Sequence, residues 1–194
     1  MAENEKNVKE FIIKAATNVF ARYGFSKTTM KDIAAAAKKA KSSLYHYFSG
    51  KEQVFMAIMD KEFSFLQDEI TQAISSEDAP EKKLRAFFST RMHTIQKLTN
   101  FYSTVKDEYL EHYSFIENFR KNYDKVEMNI IKNILEMGIK EDVFAIKDLE
   151  TVAFTIFIIL KGIEQSWISE SEHERNEKNL DNMMNIILYG INKR

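Results

Sequence analysis

The segment TTMKDIAAAAKKAKSSLYHYFSGKE, residues 28–52, decides the fold. Its first half predicts a short helix with an apolar stripe, which Thr28 or Thr29 can cap at the N-terminus. Its second half predicts another short helix over about 41–48, with Leu44 and Phe48 facing a core. Two short helices joined by a brief turn are typical of a helix-turn-helix, whose second helix enters the major groove of DNA.

The flanking sequence predicts an all-α protein. Apolar residues recur with helical spacing over 8–20, and Gly24 is placed to end that helix. A long helix is expected to begin at Lys51, and Asp148 is placed to cap a helix over 149–168 that is apolar nearly all round. Only one proline and five glycines occur in 194 residues, which favours long helices over a β fold with many turns.

Charge is distributed unevenly along the chain. The formal net charge is −1, but residues 1–51 have a balance of +6 and residues 52–194 a balance of −7. A basic N-terminal segment on an acidic body indicates that this segment meets a polyanion. The alternative is a solvated basic face that has no partner.

Composition and motifs argue against several other classes of protein. There is no cysteine, which excludes disulfides and thiol chemistry. The N-terminus is too polar for a signal peptide, and the longest apolar stretch, Val152–Leu160, is too short to cross a bilayer. We therefore expect a cytoplasmic protein with no membrane partner. An all-α enzyme is one alternative, but no phosphate-binding glycine loop, H-E-x-x-H motif or repeated Glu-x-x-His pair occurs, so we expect no enzyme activity, cofactor or metal.

Two stretches resemble the TetR/AcrR family of regulators. The first is Ala16–Ala37, with its Tyr23-Gly24-Phe25, Thr28-Thr29 and Ile33-Ala34 motifs, and the second is Leu44–Glu52, which reads LYHYFSGKE. The resemblance covers about residues 8–60. It implies a three-helix DNA-binding domain over 1–52, joined by a long helix to a C-terminal helical ligand-binding and dimerisation domain over 53–194.

The resemblance also implies which side chains touch DNA. Thr28 or Thr29 would contact a phosphate, and Lys41 and Lys51 would neutralise phosphates. Base edges would be read from the start of the second short helix, and the backbone would be contacted from its end. The predicted DNA-binding residues are Thr28, Thr29, Lys38, Lys39, Lys41, Ser42, Ser43, Tyr45, His46, Tyr47 and Lys51. The alternative for Tyr45 and Tyr47 is a packing role.

The turn between the two short helices departs from the family pattern. Lys38 stands where the family usually has glycine, and a left-handed backbone there would cost about 1 kcal/mol relative to glycine. Ala40 stands where a serine often caps the recognition helix, and losing a cap costs about 1 kcal/mol. Lys38 and Lys39 can offset these losses by adding phosphate contacts.

The C-terminal part is expected to hold a dimer interface and an effector pocket. Helices near 149–168 and 179–192 carry more apolar surface than one small domain easily hides, and the resemblance implies that they form a four-helix interface between two subunits. The predicted interface residues are Phe157, Leu160, Met184, Ile187 and Leu188. The resemblance also implies a pocket for a small, mostly apolar ligand, predicted to be lined by Phe88, Met92, Phe101, Tyr109, Phe119, Tyr123 and Trp167. The alternatives are that the 149–168 helix is the centre of the monomer and that the aromatic residues are core.

These features predict a regulator that binds a palindromic double-stranded DNA operator as a homodimer and is released by a small-molecule effector. The alternative is an all-α ligand-binding or scaffold protein without specific DNA binding. The irregular turn at Lys38 is the best argument for that alternative, and the retained basic face argues against it.

Overall fold

The chain is almost wholly helical in the computed structural model, which describes residues 2–98, 114–167 and 173–191. The prediction of an all-α fold is confirmed. Eight helices occupy the described ranges: α1 (Ala2–Lys27), α2 (Met30–Ala36), α3 (Lys41–Tyr47), α4 (Lys51–Ser75), α5 (Pro80–Lys97), α6 (Ser114–Lys140), α7 (Leu149–Trp167) and α8 (His173–Ile191).

The first of two compact units contains α1, α2, α3 and the beginning of α4, up to Phe65, together with Leu98. Its core includes three rings: Phe20 and Phe25 each lie 5.0 Å, centroid to centroid, from Phe55 of α4. Because Phe55 is part of this core, the first turns of α4 belong to the N-terminal unit. The division therefore falls inside α4, 13 residues beyond the boundary expected at residue 52.

Gly24 interrupts α1 at the position that the sequence predicts. Its φ of 75° and ψ of 166° are non-helical, and helical residues resume as far as Lys27. A Cβ added at Gly24 would meet no heavy atom within 4 Å, so glycine is favoured there by its backbone angles rather than by lack of space.

The second compact unit contains the end of α4 and helices α5 to α8 in its described ranges. α6 packs against α5 and α7, and α8 packs against α5 and α7. The predicted cap of α7 is confirmed, because Asp148 Oδ1 accepts a hydrogen bond of 3.1 Å from the backbone N–H of Thr151. No helix of the described ranges is both long and apolar enough to cross a membrane.

The end of α6 differs from the expectation that Gly138 ends it, since the helix continues to Lys140. Gly138 is required for a different reason. A Cβ at this position would lie well inside van der Waals contact of the buried ring of Phe144. The chain turns back at Asp142, where φ is 59°, and the N–H of Val143 donates to the carbonyl of Gly138 over 2.8 Å.

Candidate functional sites

The N-terminus of α2 is closed by a capping box. The hydroxyl oxygen of Thr29 accepts a hydrogen bond from the N–H of Asp32 over 3.3 Å, and the Asp32 carboxylate accepts one from the N–H of Thr29 over 2.9 Å. The Thr29 hydroxyl also donates to the Asp32 carboxylate over 2.6 Å, and this hydrogen bond, followed by the one from the Thr29 N–H, holds the pKa of Asp32 below its ordinary value.

Thr28 and Thr29 were alternatives for a phosphate contact, and they lie in different environments. Thr28 is 1% exposed, and its hydroxyl donates to the carbonyl of Gly24 over 2.7 Å. Thr29 is exposed. The Thr28 hydroxyl is therefore used inside the unit, whereas the Thr29 side chain is accessible, and a phosphate contact of either residue stays a prediction.

The turn between α2 and α3 has the strain that the sequence predicts. Lys38 has φ 49°, in the left-handed region that favours glycine. Its N–H donates to the carbonyl of Ala35 over 3.1 Å, and the N–H of Lys39 donates to Ala34 over 3.0 Å. Ala40 is the N-cap of α3 and makes no side-chain cap hydrogen bond. The helix-turn-helix thus forms without the usual turn glycine and cap serine.

α3 separates an apolar face from a polar face. Leu44 and Phe48 at its end are buried, 0% and 3% exposed, which confirms that they are core residues. Lys41, Ser42, Ser43, Tyr45 and His46 are exposed, and Tyr47 is half-buried. The side chains that the sequence predicts to read DNA therefore share one solvent-facing surface.

Two pairs of side chains are organised on the exposed surface of α3. The Lys41 ammonium lies 5.7 Å from the centroid of the Tyr45 ring. The rings of His46 and Tyr47 lie edge to face at 5.1 Å. Tyr45 is 48% exposed, so the packing alternative does not describe its side chain, which remains available to a partner.

Lys51 differs from the other predicted phosphate ligands because its ammonium is already engaged. It donates hydrogen bonds to the carbonyls of Phe25 over 2.9 Å and of Ser26 over 3.3 Å, and it lies 4.5 Å from the centroid of the Phe25 ring. Lys51 satisfies carbonyl groups near the end of α1 and ties them to the start of α4. The ammonium keeps its charge and a third N–H donor, so the contact of Lys51 with a phosphate stays a prediction.

In the second unit, α7 and α8 expose apolar residues other than those predicted. The five predicted interface residues are all buried within the subunit, at 9% exposure or less: Phe157, Leu160, Met184, Ile187 and Leu188. The apolar side chains on the outer face are Phe154, Ile158, Ile186 and Tyr189, all at least half exposed. Periodicity identifies apolar stripes but not which stripe the subunit itself covers, and this explains the difference.

The predicted pocket residues are core residues where the structure describes them. Phe88, Met92, Phe119, Tyr123 and Trp167 are all buried. Phe101 and Tyr109 lie outside the described residues. Contact of the five buried residues with a ligand therefore stays a prediction.

A buried cluster of charged side chains was missed by sequence reasoning. Arg91 of α5 is fully buried and contacts Glu127 of α6 through Nε, and its Nη2 lies 3.1 Å from Glu127 Oε2 and 2.6 Å from Glu164 Oε2 of α7. The Tyr123 hydroxyl also donates to Glu127. The sequence does contain one indication of this cluster. Glu127 follows Tyr123 by four residues and so lies on the apolar stripe of α6, where a buried carboxylate needs a partner.

The carboxylates determine the protonation states in this cluster. Burial opposes the charge of Arg91, but Glu127 and Glu164 outweigh it and raise its pKa well above the ordinary value. Burial likewise opposes the charge of Glu164, and the neighbouring cations Arg91 and Lys161 outweigh it and lower its pKa. Burial is the main cause of the raised pKa of Tyr123. Arg91 and Glu164 are therefore both ionised at neutral pH.

A basic helix-turn-helix with an exposed second helix, followed by a separate helical unit, is an arrangement typical of DNA-binding regulators. The family model described as "Bacterial regulatory proteins, tetR family" matches residues 12–58, which contain α2 and α3. The N-terminal part of the chain is therefore similar to bacterial regulatory proteins of the tetR family.

Individual relatives agree with this assignment. The chain is 29% identical over 89 residues to the HTH-type transcriptional repressor DhaR of Mycobacterium sp. (strain GP1), in an alignment that covers 45% of each protein. A transcriptional regulator from Cytophaga hutchinsonii is 26% identical, with a TM-score of 0.78, and covers 95% of this chain and 98% of its own. AibR, solved in complex with isovaleryl coenzyme A and operator DNA, shares the fold at 19% identity and a TM-score of 0.69, over 92% of this chain and 97% of its own. The alignments to the first curated relatives span less than two thirds of those proteins.

Proposed function

We propose that the chain is a transcriptional repressor of the cytoplasm, without enzyme activity, that binds a palindromic operator as a homodimer and is released by a small-molecule effector. The observation that carries the proposal is the division of α3 into a buried face, Leu44 and Phe48, and an exposed face of lysine, serine, tyrosine and histidine. A helix with this division can insert into the major groove while its apolar side stays packed in the domain.

Each side chain of the exposed face has a role that fits its chemistry. Lys41, with the exposed Lys38 and Lys39 in the preceding turn, supplies positive charge for phosphates. Ser42 and Tyr45 carry hydroxyl groups that can donate to or accept from base edges. The Lys41 ammonium over the Tyr45 ring limits the positions that the tyrosine can take, which lowers the entropy cost of ordering it on DNA.

The apolar outer face of α7 and α8 supports a dimer. Phe154, Ile158, Ile186 and Tyr189 are 50–73% exposed. A single DNA-reading helix contacts few bases, whereas two copies related by a two-fold axis read two half-sites about one helical turn, or a multiple of one, apart. We assign this face to a second copy of the chain.

The dimer can be tested by sedimentation equilibrium. Ile186→Asp places a charge in the proposed interface and is expected to weaken self-association at least tenfold, because the carboxylate would be buried without a partner. Ile139→Asp on α6 is the matched control, since Ile139 is also exposed but lies on neither interface helix. Equal self-association of both variants and the wild type would refute this assignment of the face.

AibR, which shares the fold, was solved with both operator DNA and isovaleryl coenzyme A, so this fold can hold both kinds of ligand at once. An effector would bind the second unit and prefer a conformation in which the two DNA-binding units no longer match the half-site spacing. α4 is continuous from one unit into the other and is the candidate lever.

DNA binding is tested with the intergenic DNA upstream of the gene, across a salt series. Specific binding to a palindrome with a steep salt dependence is expected. Tyr45→Ala should weaken specific binding by about tenfold to hundredfold. Lys41→Ala should lower the slope of log K against log salt by about 0.9, whereas Lys61→Ala, which removes an exposed lysine of α4, should leave it unchanged.

The alternative of a helical ligand-binding or scaffold protein makes the opposite prediction. Its support is the left-handed Lys38 and the uncapped Ala40, which weaken the recognition helix. Weak binding that is equal for all sequences, and insensitive to Tyr45→Ala, would favour it.

A further inference from the structure

The buried charges of the second unit do not balance. Lys161 of α7 joins the cluster, with its ammonium 2.8 Å from Asp124 Oδ1 and 3.4 Å from both Glu127 Oε2 and Glu164 Oε2. The buried charges are Arg91, Glu127 and Glu164, with a net charge of −1, while the side chains of Lys161 and Asp124 beside them are 29% and 39% exposed. A net negative charge in a buried site is costly unless a cation compensates it.

Glu164 carries an oxygen that has no hydrogen-bond partner among the residues that the structure describes. Glu164 Oε2 contacts Arg91 and Lys161, but Oε1 of the same carboxylate is buried and accepts no hydrogen bond. The Glu164 side chain is 3% exposed. An unsatisfied buried carboxylate oxygen is rare in folded proteins, because leaving a charged acceptor unpaired costs several times more than losing an ordinary hydrogen bond.

Two aromatic rings, one on α7 and one on α5, pack together near this carboxylate. Trp167 follows Glu164 by three residues, hence on the same side of α7, and is 1% exposed. The ring of His93 lies edge to face with Trp167 at 5.7 Å. His93 also lines a cleft of about 310 Å³ between α5 and α8, which is large enough for part of a ligand, whereas Trp167 and Glu164 lie behind His93 and outside the lining of this cleft.

We propose that the effector of this protein is an amphiphilic amine, whose protonated nitrogen donates to Glu164 Oε1 and whose apolar body packs against the aromatic residues near Trp167. The inference rests on the proposal that the second unit binds an effector. An ammonium supplies both things that the site lacks, namely a hydrogen-bond donor for the free oxygen and one positive charge for the cluster.

The same geometry disfavours other ligand chemistries. A carboxylate or phosphate at Glu164 would add negative charge to a negative cluster, and Arg91 cannot receive it because its guanidinium already binds two carboxylates. The cleft itself adds no net charge, since Lys82 and Arg85 in its lining are matched by Glu77 and Asp181. The described residues contain no group of three metal-ligating side chains that could hold a metal ion. A neutral alcohol could donate to Oε1 but would leave the charge uncompensated.

The test compares three probes that share one body, n-octylammonium, n-octanol and octanoate, with the full-length protein in the absence of DNA. Trp167 is the only tryptophan of the chain, so its fluorescence reports binding at this site directly. Octylammonium is expected to bind about tenfold more tightly than octanol, the size of a charged hydrogen bond, and octanoate should bind most weakly. Octanoate binding as tightly as octylammonium would overturn the proposal.

Two variants identify the responsible oxygen. Glu164→Gln keeps the shape of the side chain and should remove the preference for octylammonium over octanol, while Asp124→Asn, which also removes one negative charge from the cluster, should keep most of it. If both variants lose the preference equally, net charge rather than Glu164 Oε1 is responsible, and the proposed contact is wrong. If Glu164→Gln does not fold, as judged by circular dichroism, the ranking of the three probes on the wild type decides alone.

Operator binding is measured on the same protein preparations without any probe. Specific DNA binding combined with no preference for the amine would refute this inference and leave the proposed function intact. A preference for the amine without specific DNA binding would support the site and refute the repressor.

Discussion

The left-handed backbone at Lys38 makes a sharp prediction about the helix-turn-helix. Lys38→Gly is expected to stabilise the protein, although it removes a side chain and places glycine beside a helix. At φ 49° an L-residue other than glycine is strained by about 1–2 kcal/mol. Glycine relieves this strain, but it also raises the conformational entropy of the unfolded chain, which lowers the free energy of unfolding by about 0.5–1 kcal/mol. We expect a net increase in the free energy of unfolding of about 1 kcal/mol.

Lys39→Gly is the matched control. Lys39 is also an exposed lysine of the same turn, but among the described non-glycine residues only Lys38 and Asp142 have positive φ. Glycine at residue 39 therefore relieves no strain and should lower the free energy of unfolding by about 0.5–1 kcal/mol. The two variants carry the same change in charge, so an electrostatic effect on stability would move both in the same direction.

The assay is urea denaturation followed by circular dichroism at 222 nm. Tryptophan fluorescence is unsuitable here, because Trp167 lies in the second unit and the turn lies in the first. In the DNA-binding assay the two variants should behave alike, each losing one phosphate contact and about 0.9 of the salt slope. Equal destabilisation by Lys38→Gly and Lys39→Gly would refute the claim that the wild-type turn is strained.

Three further predictions concern other positions. Gly138→Ala should destabilise the protein by about 1–3 kcal/mol, because the new methyl group overlaps the buried ring of Phe144, and this outweighs the better helix propensity of alanine. In a thermal melt, adding Phe144→Leu to the same chain should recover part of the lost stability. Lys51→Met should lower the stability of the N-terminal unit by about 1–3 kcal/mol, since the carbonyl of Phe25 loses its donor, and Lys51→Arg should restore most of it. The pKa of Asp32 is lower in the folded protein than its ordinary value of 3.8, so the ionised carboxylate stabilises the fold fully above pH 3.8, and this contribution disappears as the pH falls through the folded-state pKa. The difference in free energy of unfolding between the wild type and Asp32→Asn should therefore shrink in an acid titration. A difference that stays constant with pH would contradict the capping role.

The helix-turn-helix could be read from the sequence because its signals are local. Helix spacing, capping residues and the turn between α2 and α3 each depend on neighbours within a few residues, so the cap at Thr29 and the strain at Lys38 follow from the chain itself. The buried positions of Leu44 and Phe48 follow from the same spacing, since a short helix can present only one apolar stripe.

Roles that depend on long-range contacts could not be read in this way. Lys51 looks like a phosphate ligand from its neighbours, and only the fold brings it to the carbonyls of Phe25 and Ser26, about 25 residues earlier in the chain. The exposed side of α7 and of α8 could not be predicted either. Both sides of these helices carry apolar residues, and the packing of the subunit decides which side stays exposed.

The sequence by itself determined the all-α class, the helix-turn-helix and the basic N-terminal segment, because propensity, periodicity and charge are properties of short stretches. Only the tertiary structure decided that Thr28 is buried and that Arg91, Glu127 and Glu164, from three different helices, form one charged cluster with an unpaired oxygen. Residues separated by 36 and 73 positions meet only when the helices pack, and no pattern of adjacent residues encodes that meeting.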